Sequence, residues 1–99
     1  MRMRQNLTTK HSYSMKPITD LTLTDALSAA RQTGLSFEGS TRTDWGILVR
    51  GVAHPQRVRW DFAFEFRRDK WGCGLVGLIT PNIHLVTDWL RENGYDLGK

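Results

Sequence analysis

The sequence predicts an α+β fold: an antiparallel meander sheet of three to four strands, with two helices on one face, in the order α-β-β-β-α. Two observations predict it. Large apolar residues occupy every even position from Val58 to Phe66, whereas most of the odd positions are charged, which is the period of a half-buried strand. Segments with helical spacing of apolar residues lie before and after the strands. The helices and sheet therefore form one pair of layers.

Each predicted helix carries a sequence signal at its start. The first, over 22–33, has Thr22 or Thr24 as its N-cap, and Gly34 follows as the residue that ends it. The second begins at Thr80-Pro81, with the threonine as cap and the proline at the first helical position. These signals predict helices that bury narrow apolar stripes against the sheet.

The strands are predicted over 43–52, 57–67 and 71–79, with a further short strand possible over 35–38 and a polar turn over 39–42. The tight connections between these three strands imply antiparallel hairpins, and the alternation then places Ile47 opposite Phe62, and Phe64 opposite Cys73. In this register one face of the sheet collects nearly all of the large apolar side chains, including Trp45 and Ile79. That face is expected to be the core.

The opposite, outer face of the predicted sheet carries small residues. One row across it consists of Gly46, Ala63 and Gly74, beside a few exposed aliphatic side chains. Small side chains let another backbone approach closely, and an apolar area with a polar rim can mark an interaction site. The alternatives are that glycine relieves sheet twist, or that the N-terminal segment covers this strip. The predicted protein interface consists of Gly46, Leu48, Ala63, Gly74, Val76 and Leu78.

The net charge of +4 is located in the N-terminal segment. Residues 1–19 hold four basic residues and no acid, whereas residues 20–99 hold ten of each sign. Residues 1–17 lack hydrophobic periodicity and are expected to form a flexible basic arm, followed by a single domain over 18–99. Met15 is an alternative start, which would lower the formal charge to about +1. The charge alone therefore gives a weak argument for a nucleic-acid partner.

A second hypothesis is nucleic-acid binding by the arm together with the arginine-rich central hairpin. The hypothesis is weakened by the acidic residues that interrupt this set and by aromatic residues that are predicted to face the core. The residues that would contact nucleic acid are Arg50, Arg57, Arg59, Arg67, Arg68 and Lys70.

Over roughly 22–95 the α-β-β-β-α order is similar to that of the double-stranded-RNA-binding domain. Residues 54–74 match that family only in pattern. The resemblance implies RNA binding through a lysine cluster at the start of the last helix. Here that position reads Thr80, Pro81, Asn82, Ile83 and His84, without a lysine, so we do not infer membership of the family.

No grouping of residues points to catalysis or to a metal. The three histidines, His11, His54 and His84, fall in separate segments, and no Cys-x-x-Cys or His-Glu-x-x-His spacing occurs. Cys73 is the only cysteine, and on the core face it is expected to be inert. Asp61 and Glu65 lie too far apart on one strand to share a proton. We therefore expect no enzymatic activity, no cofactor and no metal.

The sequence leaves the specific role open and favours a class of function. A lone cysteine is typical of a cytoplasmic protein, and no apolar run approaches a membrane span. We expect a small non-catalytic protein that binds another protein or itself, as a homodimer, through the outer sheet face. The alternative is nucleic-acid binding. A ligand pocket between helices and sheet is less expected, because Trp and Phe side chains are predicted to fill that space.

Overall fold

The computed structural model describes residues 15–53 and 59–98. The two helices are α1 (Leu23–Arg31) and α2 (Ile83–Glu92), and a 3₁₀ turn spans Ile18–Asp20. The strands are β1 (Lys16–Pro17), β2 (Phe37–Arg42), β3 (Gly46–Gly51), β4 (Phe62–Phe66), β5 (Trp71–Leu75) and β6 (Tyr95–Asp96). Strands β2 to β5 form an antiparallel sheet in chain order, while β1 and β6 pair in parallel. The predicted α+β class is confirmed.

Helix α1 begins and ends as its sequence predicts. The Thr22 hydroxyl accepts a hydrogen bond from the Asp25 N–H at 3.1 Å, and Gly34 takes a positive φ of 90° just after the helix. Its buried stripe is made of alanines, Ala26, Ala29 and Ala30, which are fully buried. These small side chains allow α1 to lie close against the edge strand β2 and its neighbour β3.

The predicted cap of α2 is wrong. The residue before the helix is Asn82, which has a left-handed φ of 52° and makes no side-chain cap bond. Its amide nitrogen instead donates to the Thr33 carbonyl at 3.3 Å, next to the end of α1. Thr80 does not cap the helix. Its hydroxyl oxygen instead accepts the N–H of Leu75, at the end of β5, at 2.8 Å. Pro81 consequently lies outside the helix.

The core face of the sheet is the one that the alternation predicts. Ile47, Val49, Phe62 and Phe64 are fully buried there, beneath the two helices. The β4–β5 hairpin has the predicted register, with Phe62 opposite Leu75 and Phe64 opposite Cys73. The four residues between these strands form a tight turn, which fixes that register.

The β3–β4 register differs from the predicted one by two residues. Ile47 lies opposite Phe64 and Val49 lies opposite Phe62. The reason is a longer connection: β4 begins only at Phe62, and the Asp61 carboxylate accepts the Gly51 N–H at 3.0 Å in place of a strand partner. A shift by two residues leaves the side chains of the paired residues on their predicted faces.

Three strand boundaries also differ from the prediction. Residues 39–42 belong to β2 and are not a turn, because they pair with β3. The turn falls at 43–45, so Trp45 is 40% exposed and does not lie in the core. The predicted strand over 71–79 stops at Leu75, since Thr80 binds the Leu75 N–H and Gly77 turns the chain with a φ of 73°.

The C-terminal segment joins distant parts of the fold. Tyr95 is fully buried and its hydroxyl donates to the Asp25 carboxylate at 2.6 Å. The Trp71 indole N–H donates to the Leu97 carbonyl at 3.0 Å. Lys16 and Pro17, which the sequence assigns to the arm, pair with β6, and the Lys16 N–H donates to the Gly94 carbonyl. The rest of the expected arm, residues 1–14, lies outside the described residues.

Candidate functional site

Four of the predicted interface residues, Gly46, Leu48, Ala63 and Gly74, lie within the strands on the outer face, but their rows are regrouped by the β3–β4 register. Leu48 lies opposite Ala63, which lies opposite Gly74. Gly46 belongs to the next row, opposite Glu65, so the predicted row Gly46–Ala63–Gly74 is wrong. Ala63 is 8% exposed, and Leu48 and Gly74 are half-buried.

The space beside Gly46 is filled by the protein's own backbone. A Cβ at this position would overlap the carbonyl oxygen of Phe64, and the residue has a φ of 155°. Gly46 is also buried. This glycine is therefore explained by close strand packing and is not available to a partner.

A shallow depression of about 370 Å³ lies over β4 and β5 on the outer face. It exists because two of the β5 positions beside Ala63 and Glu65 are glycines. At Gly72, an added Cβ would meet no atom within 4 Å. Of the residues proposed from the sequence, Ala63, Gly74 and Val76 line this depression.

The turn after β5 exposes three large aliphatic side chains. Val76 is 55% exposed, Leu78 is 50% exposed and Ile79 is 93% exposed. We call residues 76–79 the aliphatic turn. The sequence places Val76 and Leu78 on the surface correctly, but it places Ile79 in the core, because the alternation continues past the point where the strand ends.

An apolar groove lies beside the aliphatic turn. Its volume is about 580 Å³, and it lies where the exit of α1, the segment before β4 and the turn after β5 meet. None of the lining residues within the described part of the chain is charged. They are Leu35, Trp60, Leu75, Gly77, Leu78, Ile79 and Pro81. No sequence pattern predicts this groove, because it is assembled from three separate connections.

The basic residues of the nucleic-acid hypothesis lie at two ends of the sheet. Arg50 is exposed at the end of β3 and Arg59 lies near the start of β4, where its guanidinium is 3.6 Å from Asp61. At the opposite end, Arg67 is 3.5 Å from Glu65. Arg68 and Lys70 are exposed in the same turn as Arg67, and Arg57 lies outside the described residues.

The structure offers little for metal or nucleophile chemistry. Within residues 15–53 and 59–98, no three His, Cys, Asp or Glu side chains come close enough to hold a metal ion. Cys73 faces Phe64 on the core side, and burial raises the pKa of its thiol to about 12. His84 is exposed at the start of α2, while His11 and His54 fall outside the described ranges.

In the part of the chain that the structure describes, neither helix has the length and apolar character needed to span a bilayer. Comparison of the chain with protein-family models, curated proteins and solved structures finds no match in any of the three.

Proposed function

We propose that this chain is a small, non-catalytic protein-binding protein, and that the aliphatic turn and its groove form the contact surface. The observation that carries the proposal is Ile79, whose side chain is 93% exposed beside the half-exposed Leu78. An isolated exposed aliphatic residue is ordinary on a protein surface. A contiguous group beside an apolar groove is typical of an interaction site.

The lining of the groove indicates the chemistry of the partner. Trp60, Leu75 and Pro81 provide aromatic and aliphatic walls, and no residue that the structure describes adds a charge to the lining. Such a site binds a large apolar side chain that loses its water on entry, as the anchoring residues of protein interfaces do. We expect the occupant to be a peptide segment of another protein with an aliphatic or aromatic anchor.

The outer face can extend this contact surface. Leu75 and Gly77 line both the groove and the depression over β4 and β5. The two hollows are therefore neighbours, joined at the aliphatic turn. A partner anchored in the groove would reach Ala63 and Gly74, two of the interface residues that the sequence predicts.

A phage-displayed peptide library selected against the purified protein tests this proposal. We expect enriched peptides to carry apolar anchors, and we expect the Ile79→Asp variant to bind them at least about tenfold more weakly, because a charge would be placed in the apolar contact. The matched control is Trp45→Asp, which alters another exposed apolar side chain at the opposite end of the sheet. Absence of enriched peptides, or equal binding by Ile79→Asp, contradicts the proposal.

Nucleic-acid binding is the second candidate, and it stays a prediction. The ion pairs Arg59–Asp61 and Arg67–Glu65 weaken it, because an acid beside each arginine reduces the charge offered to a phosphate. Fluorescence anisotropy with duplex and single-stranded probes at low salt tests it. A flat titration with both probes eliminates this candidate.

A further inference from the structure

The two edges of the four-stranded sheet differ in how well they are protected against pairing with another strand. The edge strand β2 contains Glu38 and Arg42 and has an irregular register between Phe37 and Gly39. Charges and bulges of this kind discourage pairing with another strand. The other edge strand, β5, reads Trp-Gly-Cys-Gly-Leu, without a charge or a proline, and its register with β4 is unbroken. Among residues 15–53 and 59–98, β5 is therefore the edge of this sheet that lacks such protection.

Hydrogen bonds at both ends of the β4–β5 ladder show which groups of β5 point outward. The Arg67 N–H donates to the Lys70 carbonyl at 2.7 Å, and the Val76 N–H donates to the Asp61 carbonyl at 2.9 Å. Because bonding alternates along an antiparallel strand, the even-numbered residues of β5 bond to β4. The odd-numbered residues direct their N–H and C=O groups toward the free edge.

Thr80 occupies one end of this free edge. Its hydroxyl oxygen accepts the outward N–H of Leu75 at 2.8 Å. Among the residues that the structure describes, no hydrogen-bond partner is found for the outward N–H and C=O groups of Trp71 and Cys73. The backbone groups of this edge that can bond to another strand are therefore those of Trp71 and Cys73, which lie on either side of Gly72.

We propose that β5 pairs antiparallel with β5 of a second copy of this chain, about a two-fold axis at Gly72. Trp71 of each copy then lies opposite Cys73 of the other, and the outward groups of both residues are satisfied on both copies. The two sheets join edge to edge, with their outer faces on the same side. This dimer goes beyond the proposed function, since it uses the β5 edge and not the groove.

Steric fit favours Gly72 as the centre of the pairing. Residues at a pair without mutual hydrogen bonds approach to about 4.5 Å between Cα atoms. Gly72 meets this requirement because it has no side chain and the space around its missing Cβ is open to 4 Å. A pairing centred on Cys73 would instead bring Trp71 against Leu75, whose N–H is already bound by Thr80.

Charge placement is also compatible with two identical partners. The basic turn that contains Arg67, Arg68 and Lys70 lies on one side of the proposed axis. The two-fold operation moves the turn of the second copy to the other side, where each Lys70 lies opposite Gly74 of the other copy. Like charges are thus kept apart across the proposed axis.

Sedimentation equilibrium over a range of concentrations, with two variants at one position, tests the dimer. Cys73→Pro removes the outward N–H but no bond to β4, whereas Cys73→Ala keeps that N–H and serves as the control. We expect the wild type and Cys73→Ala to reach twice the monomer mass of 11.4 kDa and Cys73→Pro to stay monomeric. A wild type that stays monomeric, or a dimeric Cys73→Pro, overturns the inference.

Amide hydrogen exchange of the wild type tests the dimer independently if Cys73→Pro does not fold. In the wild type, the Trp71 and Cys73 amides should exchange at least about tenfold more slowly at dimer-forming concentrations than in dilute solution. Fast exchange at every concentration overturns the inference.

Ile79→Asp separates the two proposals: it should abolish peptide binding and leave the dimer intact. If Ile79→Asp removes the dimer and Cys73→Pro does not, copies associate through the aliphatic turn and the β5 pairing is wrong.

Discussion

Cys73 combines a nucleophilic atom with an environment that keeps it unreactive. It faces the core side of β5 opposite Phe64, and burial raises the pKa of its thiol to about 12 from an ordinary value of 9.0. The thiolate, which is the reactive form, is therefore scarce at neutral pH. A catalytic cysteine needs the opposite shift of its pKa, so Cys73 itself is poorly suited to act as a nucleophile.

Alkylation by iodoacetamide measures this property. At pH 8, the thiolate fraction implied by a pKa of about 12 is about a thousandfold smaller than that of a thiol with a pKa of 9.0. We expect native Cys73 to react about a thousandfold more slowly than the denatured chain, with the rate rising about tenfold per pH unit up to about pH 11. The chain in concentrated urea is the control. Equal rates in the native and denatured states would contradict the assigned pKa.

Single residues show how far alternation predicts side-chain positions. Period-two patterning places Phe62, Phe64 and Cys73 on the correct face, because parity is a local property of the strand. It fails at Trp45 and Ile79, which continue the pattern but lie beyond the strand ends. Their exposure depends on contacts such as the bond from the Leu75 N–H to Thr80, which leave no periodic signal in the sequence.

At the scale of elements, strand faces are predictable and strand register is only partly so. Every even position from Val58 to Phe66 is large and apolar, so a shift by two residues yields an equally good apolar face. The short turn between β4 and β5 removes that ambiguity, and its predicted register is confirmed. The longer connection between β3 and β4 leaves that ambiguity open. The β3–β4 register is set by the bond between the Gly51 N–H and Asp61.

Two glycines on the outer face give a matched test of the observed register. A Cβ on Gly46 would overlap the Phe64 carbonyl oxygen, whereas a Cβ on Gly72 would meet no atom within 4 Å. We expect Gly46→Ala to lower the free energy of unfolding by roughly 2–4 kcal/mol, because backbone must move to accommodate it. Gly72→Ala should change the free energy of unfolding by less than about 1 kcal/mol. Urea unfolding followed by tryptophan fluorescence, at a protein concentration where the chain is monomeric, measures both. Equal effects of the two variants would place the strands in a different register.

The candidate site, like the strand register, is only partly predictable from the sequence. The alternation predicts Val76 and Leu78 as surface residues because they occupy its outward positions, and both are exposed. The groove has no such pattern, because Leu35, Trp60 and Pro81 come from three connections that only the folded chain brings together. The free edge of β5 is not predictable either, since the sequence does not show which strand lies at an edge.

At the scale of the whole molecule, the last residues hold several layers together. Tyr95 contacts α1 through Asp25 and carries the Lys16 ammonium over its ring at 4.2 Å. Leu97 is buried, and its carbonyl binds the Trp71 indole at the start of β5. The C-terminal segment therefore connects the N-terminal strand, the first helix and the sheet edge.

Truncation tests whether this segment is part of the cooperative fold. A chain ending at Gly94 loses the buried side chains of Tyr95 and Leu97, each of which contributes about 1.5–3 kcal/mol by burial, and it also loses their hydrogen bonds. That sum is comparable with the roughly 5–15 kcal/mol stability of a small domain, so we expect a strongly lowered or absent unfolding transition in circular dichroism.

The control for this truncation is a chain ending at Leu97. It lacks the exposed Gly98 and the final lysine but keeps both buried side chains. Its thermal midpoint should match that of the full chain, because losing an exposed residue such as Gly98 seldom changes the free energy of unfolding by more than about 0.5 kcal/mol. If the chain ending at Gly94 melts at the same temperature as this control, the C-terminal segment does not hold the layers together. The fold would then depend on the contacts of α1 and α2 with the sheet alone.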